Sequence, residues 1–228
     1  MFSKAFFSFF ALAGTLLLNA TAAAPFSDGR NGTKLAAAGQ IWLTPHDQYS
    51  SSVGVLGCKV DINHMAYWPE AIGCDDICVE VTAFDRTVTL LRVDNSVGAH
   101  DISFNNWNYL ETGYPATVKN QIKPSEGFTA SYKTVDPNNS TSINYISNCV
   151  LNAPNSWIAK NFELWNIYDS QCNLGYNEIC ETPDFKNGFN QAKCTHTLGS
   201  QNPLAGQDVW NIRYPSGDFV EVKGPGQA

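Results

Sequence analysis

The amino-acid sequence predicts a mainly β protein, and three observations support this fold class. Apolar and polar residues alternate over 77–82, which is the period of a half-buried strand. A turn at 84–86 leads into a second apolar and β-branched run over 88–93. A third run, 128–135, alternates in the same way and ends at Asp136-Pro137. These runs predict a sheet that dominates the first half of the chain.

One short helix is expected between the second and third of these strands. Ser103 is suited to an N-cap, and Phe104, Trp107 and Leu110 follow it at helical spacing. The segment 111–115 contains glycine and proline and is typical of a helix stop. The apolar residues of this helix are expected to face inward.

The remaining elements are assigned from shorter patterns. Residues 40–44 predict a first strand and 45–52 a loop. The apolar residues of 53–62 predict another strand, which flanks Cys58. Residues 63–69 are interpreted as an aromatic and polar loop.

The C-terminal part of the chain has a different character. Four of the cysteines lie in the last 80 residues, and apolar runs are few. Strands are predicted within 159–168 and 209–214, with loops held by disulfides elsewhere. A segment so poor in core is not expected to fold alone, so we expect it to pack on the first domain.

The N-terminus predicts secretion. Lys4 precedes a short apolar run, and small residues before Ala24 fit a cleavage site, although an uncleaved anchor is the alternative. The run is too short to span a bilayer. Three sequons predict surface glycans, at Asn31, Asn138 and Asn139. The predicted organisation is a signal peptide (1–24), a flexible lead-in (25–39), a β domain (40–136), a cysteine-rich extension (137–222) and a disordered tail (223–228).

Composition narrows the classes of partner. The formal net charge is -7, which argues against nucleic acid and against anionic membranes. Charged residues make up only 15% of the chain, so its polar surface must be largely neutral. Neutral polar and aromatic groups suit the hydroxyl-rich faces of carbohydrate, and they equally suit secretion.

The cysteines predict disulfides rather than a metal site. An oxidising compartment favours pairing, and an odd count leaves one thiol free or bridged to another molecule. Cys74-x3-Cys78 has no matching second pair, and His64 and His196 are distant, so no metal or cofactor is expected. A monomer is expected unless the odd cysteine bridges. Connectivity stays open among the seven: Cys58, Cys74, Cys78, Cys149, Cys172, Cys180 and Cys194.

Four segments carry a resemblance to a known fold. They read CVEV at 78–81, VTLLRVD at 88–94, HDISF at 100–104 and FTASYKTV at 128–135. In this order they resemble the six-stranded double-psi β-barrel of expansins, barwin-like proteins, the rare lipoprotein A family and the endoglucanases that share that barrel. The resemblance covers roughly 40–136.

The resemblance is closest at the end of the last strand. Tyr132 to Val135 fits the family pattern Tyr-x-x-Val, whereas His100 to Ser103 lacks one residue of the family motif His-Phe-Asp-Leu-Ser. The whole chain also looks like a group of small secreted fungal proteins that carry this barrel and are effector-like, without assigned activity.

The resemblance implies a role for Asp101. It matches the family aspartate that serves as general acid in the endoglucanases, a role that needs a protonated carboxyl and a second carboxylate across the sugar. Asp47 is the only residue near the position of their base, and its surroundings do not match their motif. Expansins lack that base and keep the aspartate. The alternative is that Asp101 is a helix N-terminal carboxylate that accepts backbone N–H groups.

Five further residues are candidates for binding. Trp42, Tyr67 and Trp68 could stack on the apolar faces of sugar rings, with Tyr67 and Trp68 expected in an exposed loop. Asp94 and His100 complete the set. The alternatives are a core position for Trp42, an Asx-turn for Asp94 and an isolated surface histidine for His100.

Three functions follow as hypotheses. The preferred one is a secreted, non-catalytic protein that binds or loosens cell-wall polysaccharide or acts on a host extracellular target. The second is a glycan-cleaving enzyme that uses Asp101 as acid. The third is a protein-binding elicitor or inhibitor module in which loops carry the function.

Overall fold

The computed structural model describes residues 37–135, 162–182 and 191–223. The predicted signal peptide, the three sequons, Cys149 and residues 224–228 lie outside the described residues. Everything described falls within one unit, residues 33–228.

Six strands close into a barrel in the order β1-β5-β2-β4-β3-β6. The pairs β1–β5 and β2–β4 are parallel, and the other four pairs are antiparallel. The mainly β fold is therefore confirmed, and the topology is compatible with a double-psi barrel. The strands are β1 (Ala38–His46), β2 (Met65–Trp68), β3 (Cys78–Ala83), β4 (Arg86–Asn95), β5 (His100–Ser103) and β6 (Phe128–Val135).

The β3–β4 hairpin follows its sequence pattern closely. Val79 and Val81 are buried inside the barrel, whereas Glu80 between them is only half-buried. The strands are joined by Phe84 and Asp85 alone, both with positive φ, at 49° and 58°. This is the backbone of a type I′ turn, whose twist matches that of the flanking strands.

The single described α-helix, α1 (Phe104–Thr112), closes one end of the barrel. Phe104, Trp107 and Leu110 are buried in the barrel core, as their spacing predicts. Gly113 ends the helix in the left-handed conformation. Ser103 holds the N-cap position, but its hydroxyl donates to the carbonyl of Asn63 instead of to the helix.

Two assignments were wrong. Residues 53–62 form no strand: they contain 3-10 turns at Gly57–Lys59 and Ile62–His64. Their apolar side chains are buried in an outer cluster rather than in a ladder. The expected loop 63–69 contains β2, whose four residues are all buried. A strand covered on both faces shows no alternation, so its pattern resembled that of a loop.

The outer cluster lies between the barrel wall and the C-terminal part of the chain. Met65, Tyr67 and Leu91 supply the wall, and Ile167 and Val209 supply the cover. The barrel thus has apolar residues on both faces of β2.

The C-terminal residues form two small sheets. Trp165–Ile167 (β7) pairs with Gly175–Ile179 (β8), and Trp210–Ile212 (β9) with Phe219–Glu221 (β10). The strands predicted within 159–168 and 209–214 appear as the shorter β7 and β9, and β8 and β10 were not predicted. No helix in the described part of the chain is long and apolar enough to cross a membrane.

One described disulfide links the C-terminal residues to the segment between β1 and β2, and another closes a short loop after β8. Cys58 bonds to Cys172 across 114 residues, and Cys180 bonds to Cys194 across 14. Cys74 is also disulfide-bonded. Among the described cysteines Cys78 is free, and burial raises the pKa of its thiol to about 11.

Glu178 on β8 is held by hydrogen bonds from two residues. Asn166 Nδ2 and the backbone N–H of His196 donate to Oε1 over 2.8 and 2.9 Å, and His196 Nδ1 lies 2.8 Å from Oε2. These hydrogen bonds, led by that of Asn166, lower the pKa of Glu178 from 4.5 to about 2. The ionised carboxylate is therefore the form that the fold favours.

Replacing Glu178 with glutamine is expected to lower the free energy of unfolding at neutral pH, with a difference from wild type that shrinks in acid. The carboxylate contributes its stability above its unfolded pKa of 4.5, and that contribution is lost as the pH falls toward about 2. Urea denaturation across this range checks it. Glu181→Gln is the control. Glu181 forms an ion pair with Lys193 at 3.8 Å, but both side chains are exposed, so this pair is expected to contribute little to stability. A difference in the free energy of unfolding between wild type and Glu178→Gln that stays constant with pH would contradict the lowered pKa of Glu178.

Candidate functional site

The outer face of β1 carries three side chains in line. Trp42, Thr44 and His46 alternate with inward-facing residues such as Leu43, which is buried in the barrel core. Trp42 is 58% exposed, an unusual position for an indole. The expectation that Trp42 is available at the surface therefore agrees with its position.

A glycine makes room for this indole. A Cβ added at Gly127 would lie 2.6 Å from Trp42 Nε1 and 2.7 Å from the Leu43 carbonyl oxygen. Gly127 also has a φ of +139°, which side-chain-bearing residues rarely adopt. The Trp42 ring thus lies against Gly127, and more than half of the residue is exposed to solvent.

Asp101 lies directly beside Thr44. The parallel register of β1 and β5 pairs these two residues, and the Thr44 hydroxyl donates a hydrogen bond to the Asp101 carboxylate. Both residues are half-buried. Asp101 lies in β5, two residues before the N-cap Ser103, and its described hydrogen-bond partner is the Thr44 hydroxyl.

Next to Asp101, the neighbouring strands β2 and β4 contribute Tyr67 and Asp94. Tyr67 on β2 pairs with Asp101 on one side and with Asp94 on the other. Burial raises the pKa of the Tyr67 phenol well above its ordinary value, and the Asp94 and Asp101 charges add to this. Ser50 donates to Asp94 over 2.6 Å, and the His46 ring lies 4.1 Å from the Tyr67 ring. Tyr67 is thus a neutral phenol between two carboxylates.

Two predicted binding residues are not at the surface. Tyr67 and Trp68 belong to β2 and are buried, so the expectation of an exposed aromatic loop was wrong. The reason is that β2 is covered by the barrel core on one face and the outer cluster on the other. Neither ring can stack on a sugar in this structure.

His100 and Asp101 point to opposite sides of β5, because neighbouring residues of a strand alternate. His100 packs edge-on against Trp68, with ring centroids 4.9 Å apart, and its Nε2 lies 3.7 Å from Glu70. The Asp101 carboxylate is bound by Thr44 on the outer face. The structure therefore does not bring His100 and Asp101 together.

Asp47 lines a cleft next to the end of β1, together with His46 and Tyr67. The cleft encloses about 260 Å³, counted with the space open to solvent, and Asp101 is not among its lining residues. The backbone N–H of Tyr214 donates to the Asp47 carboxylate over 2.9 Å, and Asn211 accepts from the backbone of Tyr49 over 3.0 Å. The C-terminal part of the chain thus engages Asp47.

Sequence reasoning missed Thr44, Gly127 and Tyr214. Thr44 could have been found, since it is two residues from Trp42 on the same predicted strand. The roles of Gly127 and Tyr214 depend on contacts distant in sequence, for which a single sequence gives no signal. In the described residues, no group of three or more His, Cys, Asp or Glu side chains could hold a metal ion.

Comparison with protein-family models, curated proteins and solved structures found no match to this chain.

Proposed function

We propose that this protein acts outside the cell by binding a neutral polysaccharide, as in a cell wall, without cleaving it. The observation that carries the proposal is the position of Trp42, exposed on the outer face of β1 beside the Thr44–Asp101 pair. An aromatic platform next to a hydrogen-bonding carboxylate is the combination that a sugar ring requires. The disulfides support an oxidising, extracellular setting.

Each part of this surface has a defined task. The Trp42 indole offers a flat apolar face, on which the C–H face of a sugar ring can stack. Thr44 donates to one oxygen of the half-buried Asp101 carboxylate, and we assign the second oxygen to accept from a sugar hydroxyl. Thr44 also fixes the carboxylate, which lowers the entropy lost on binding.

The arrangement of carboxylates favours binding over hydrolysis. A glycosidase of the usual kind places two carboxyl groups on either side of one glycosidic bond. Here the strand register places the buried Tyr67 between Asp94 and Asp101, and the Asp47 carboxylate accepts from the backbone N–H of Tyr214.

Trp42→Ala is expected to weaken retention on the polysaccharide that the wild type binds by about tenfold. An aromatic platform contributes about 1.5 kcal/mol beyond its area, and 1.4 kcal/mol is a factor of ten in affinity. Pull-down on insoluble chitin, cellulose and β-glucan measures this. Trp210→Ala is the matched control, because Trp210 is 48% exposed on β9 and is expected to leave retention unchanged.

The soluble fractions of the same pull-downs, assayed for reducing sugar, separate the alternative functions. Reducing sugar released by the wild type and lost in Asp101→Asn would replace the proposal with a glycan-cleaving enzyme. Equal retention of wild type and Trp42→Ala, or no retention on any of the three polymers, would contradict the proposal and leave the protein-binding module as the next function to test.

A further inference from the structure

We propose that Phe84 is a second stacking platform, so that the binding surface crosses β6 and runs from Trp42 to Phe84. This inference rests on the proposed function and deepens it, because it specifies the direction and extent of the bound chain.

Strand order places the two rings on either side of β6. Trp42 on β1 is registered with Thr129 of β6, and on the other side Thr82 of β3 is registered with Ser131. Phe84 follows Thr82 by two residues, in the turn after β3, at the end of β3 that lies toward the start of β6. Since β6 lies between β1 and β3, two strand spacings, about 10 Å, separate the strand that carries Trp42 from the strand that leads into Phe84.

Ring contacts agree with this placement. The Trp42 indole lies against Gly127, and the Phe84 ring packs edge-on against Phe128, the next residue, with centroids 5.0 Å apart. Phe84 is 53% exposed, close to the 58% of Trp42. Two half-exposed aromatic rings therefore flank the first residues of β6.

The backbone of Phe84 adopts a conformation that is costly for its residue type, and packing against Phe128 buries only part of its side chain. A type I′ turn requires positive φ at both central residues, and asparagine and glycine are the residues that adopt it readily. A bulky side chain at φ 49° is unfavourable, and here half of that side chain remains in contact with solvent. A bulky residue kept in a costly conformation for only partial burial is a candidate for function.

The surface between the rings fits a neutral, hydroxylated chain. Thr129 and Ser131 are exposed, and Thr82 beside them is half-buried, so this part of the sheet presents hydroxyl groups. Farther along β6, Lys133 Nζ lies 2.7 Å from the Glu80 carboxylate, so the two charges compensate each other. With a formal net charge of -7, an anionic polymer is disfavoured. The occupant we infer is a neutral polysaccharide that crosses the strands and contacts both rings.

The test is Phe84→Asn, which supplies a residue that a type I′ turn prefers. The free energy of unfolding is expected to stay unchanged or rise, while affinity for the polymer retained by the wild type falls about fivefold. Urea denaturation and a depletion isotherm on that polymer give the two values. Phe219→Asn is the control: Phe219 is 61% exposed on β10, and its replacement is expected to leave affinity unchanged.

Phe84→Leu guards against an effect on folding, because leucine keeps an apolar contact with Phe128 and removes the aromatic face. It is expected to lose affinity as Phe84→Asn does. Wild-type affinity in Phe84→Leu, or lower stability with unchanged affinity in Phe84→Asn, would overturn the inference. If Trp42→Ala alone loses affinity, the proposed function stands and this inference fails; if neither Trp42→Ala nor Phe84→Asn does, both fail.

Discussion

Replacing Trp107 with alanine is expected to lower the free energy of unfolding by about 3–5 kcal/mol, the usual cost of deleting a buried aromatic side chain. Trp107 is fully buried and stacks on Phe128 at 5.2 Å. Its Nε1 donates to the carbonyl of Leu43 over 3.3 Å, so alanine also leaves that carbonyl without this partner. Because domains of this kind are stable by about 5–15 kcal/mol, the loss is a large part of the total. Urea denaturation measures it.

Two variants bracket this result. Trp107→Phe keeps a ring against Phe128 and is expected to lose less, whereas Trp210→Ala changes a half-exposed ring and should fall within about 1 kcal/mol of wild type. A Trp107→Ala protein as stable as Trp210→Ala would show that α1 does not close the barrel as described. The prediction also concerns the site, because Leu43 lies between Trp42 and Thr44 on β1.

Replacing both Cys58 and Cys172 with serine is expected to lower the free energy of unfolding more than replacing both Cys180 and Cys194 does. The bond joins residues 114 apart, and closure of so long a loop in the unfolded chain corresponds to about 5 kcal/mol in the chain-entropy model. It also anchors the segment after β1 to the turn before β8, next to the outer cluster. Equilibrium denaturation of the oxidised proteins gives the difference.

The chain provides a matched control in Cys180 and Cys194. This pair also has one buried and one half-buried member, but its loop spans 14 residues, which corresponds to about 3 kcal/mol. The expected order of stability is wild type, then the Cys180/Cys194 variant, then the Cys58/Cys172 variant. The reverse order would show that the C-terminal segment is not held on the barrel mainly by Cys58–Cys172.

Local sequence pattern was sufficient for the exposed parts of the barrel. β3 and β6 each have one face toward solvent for much of their length, so apolar and polar residues alternate and the strands were predicted. In β4 the residues 90–93 are all buried, and this strand was predicted from its apolar and β-branched residues. Helix α1 was predicted because Phe104, Trp107 and Leu110, all buried, recur at helical spacing after Ser103.

Burial on both faces defeated the same reasoning elsewhere. Met65–Trp68 is covered inside and outside, and β5 has only four residues before the helix begins, so neither shows a period. The apolar residues of 53–62 looked like a strand because burial in the outer cluster selects the same residue types as a ladder does.

The site was predictable residue by residue but not as an arrangement. Trp42 and Asp101 were named from the sequence, and the structure brings them to the same outer surface through Thr44. The hydrogen bond from the Tyr214 backbone to Asp47 joins residues 167 apart in sequence, so local pattern gives no signal for it. The free thiol, Cys78, could not be picked out of seven cysteines, because spacing carries no information about which one lacks a partner.

The most direct test of the account is amide chemical-shift mapping of the isotope-labelled protein, titrated with soluble oligosaccharides of the polymer that retains it. The account predicts that the largest shifts fall on β1 around Trp42 and Thr44, on Asp101 and at the start of β6. Shifts confined to the β9–β10 sheet or to the cleft beside Asp47, with β1 unchanged, would contradict it.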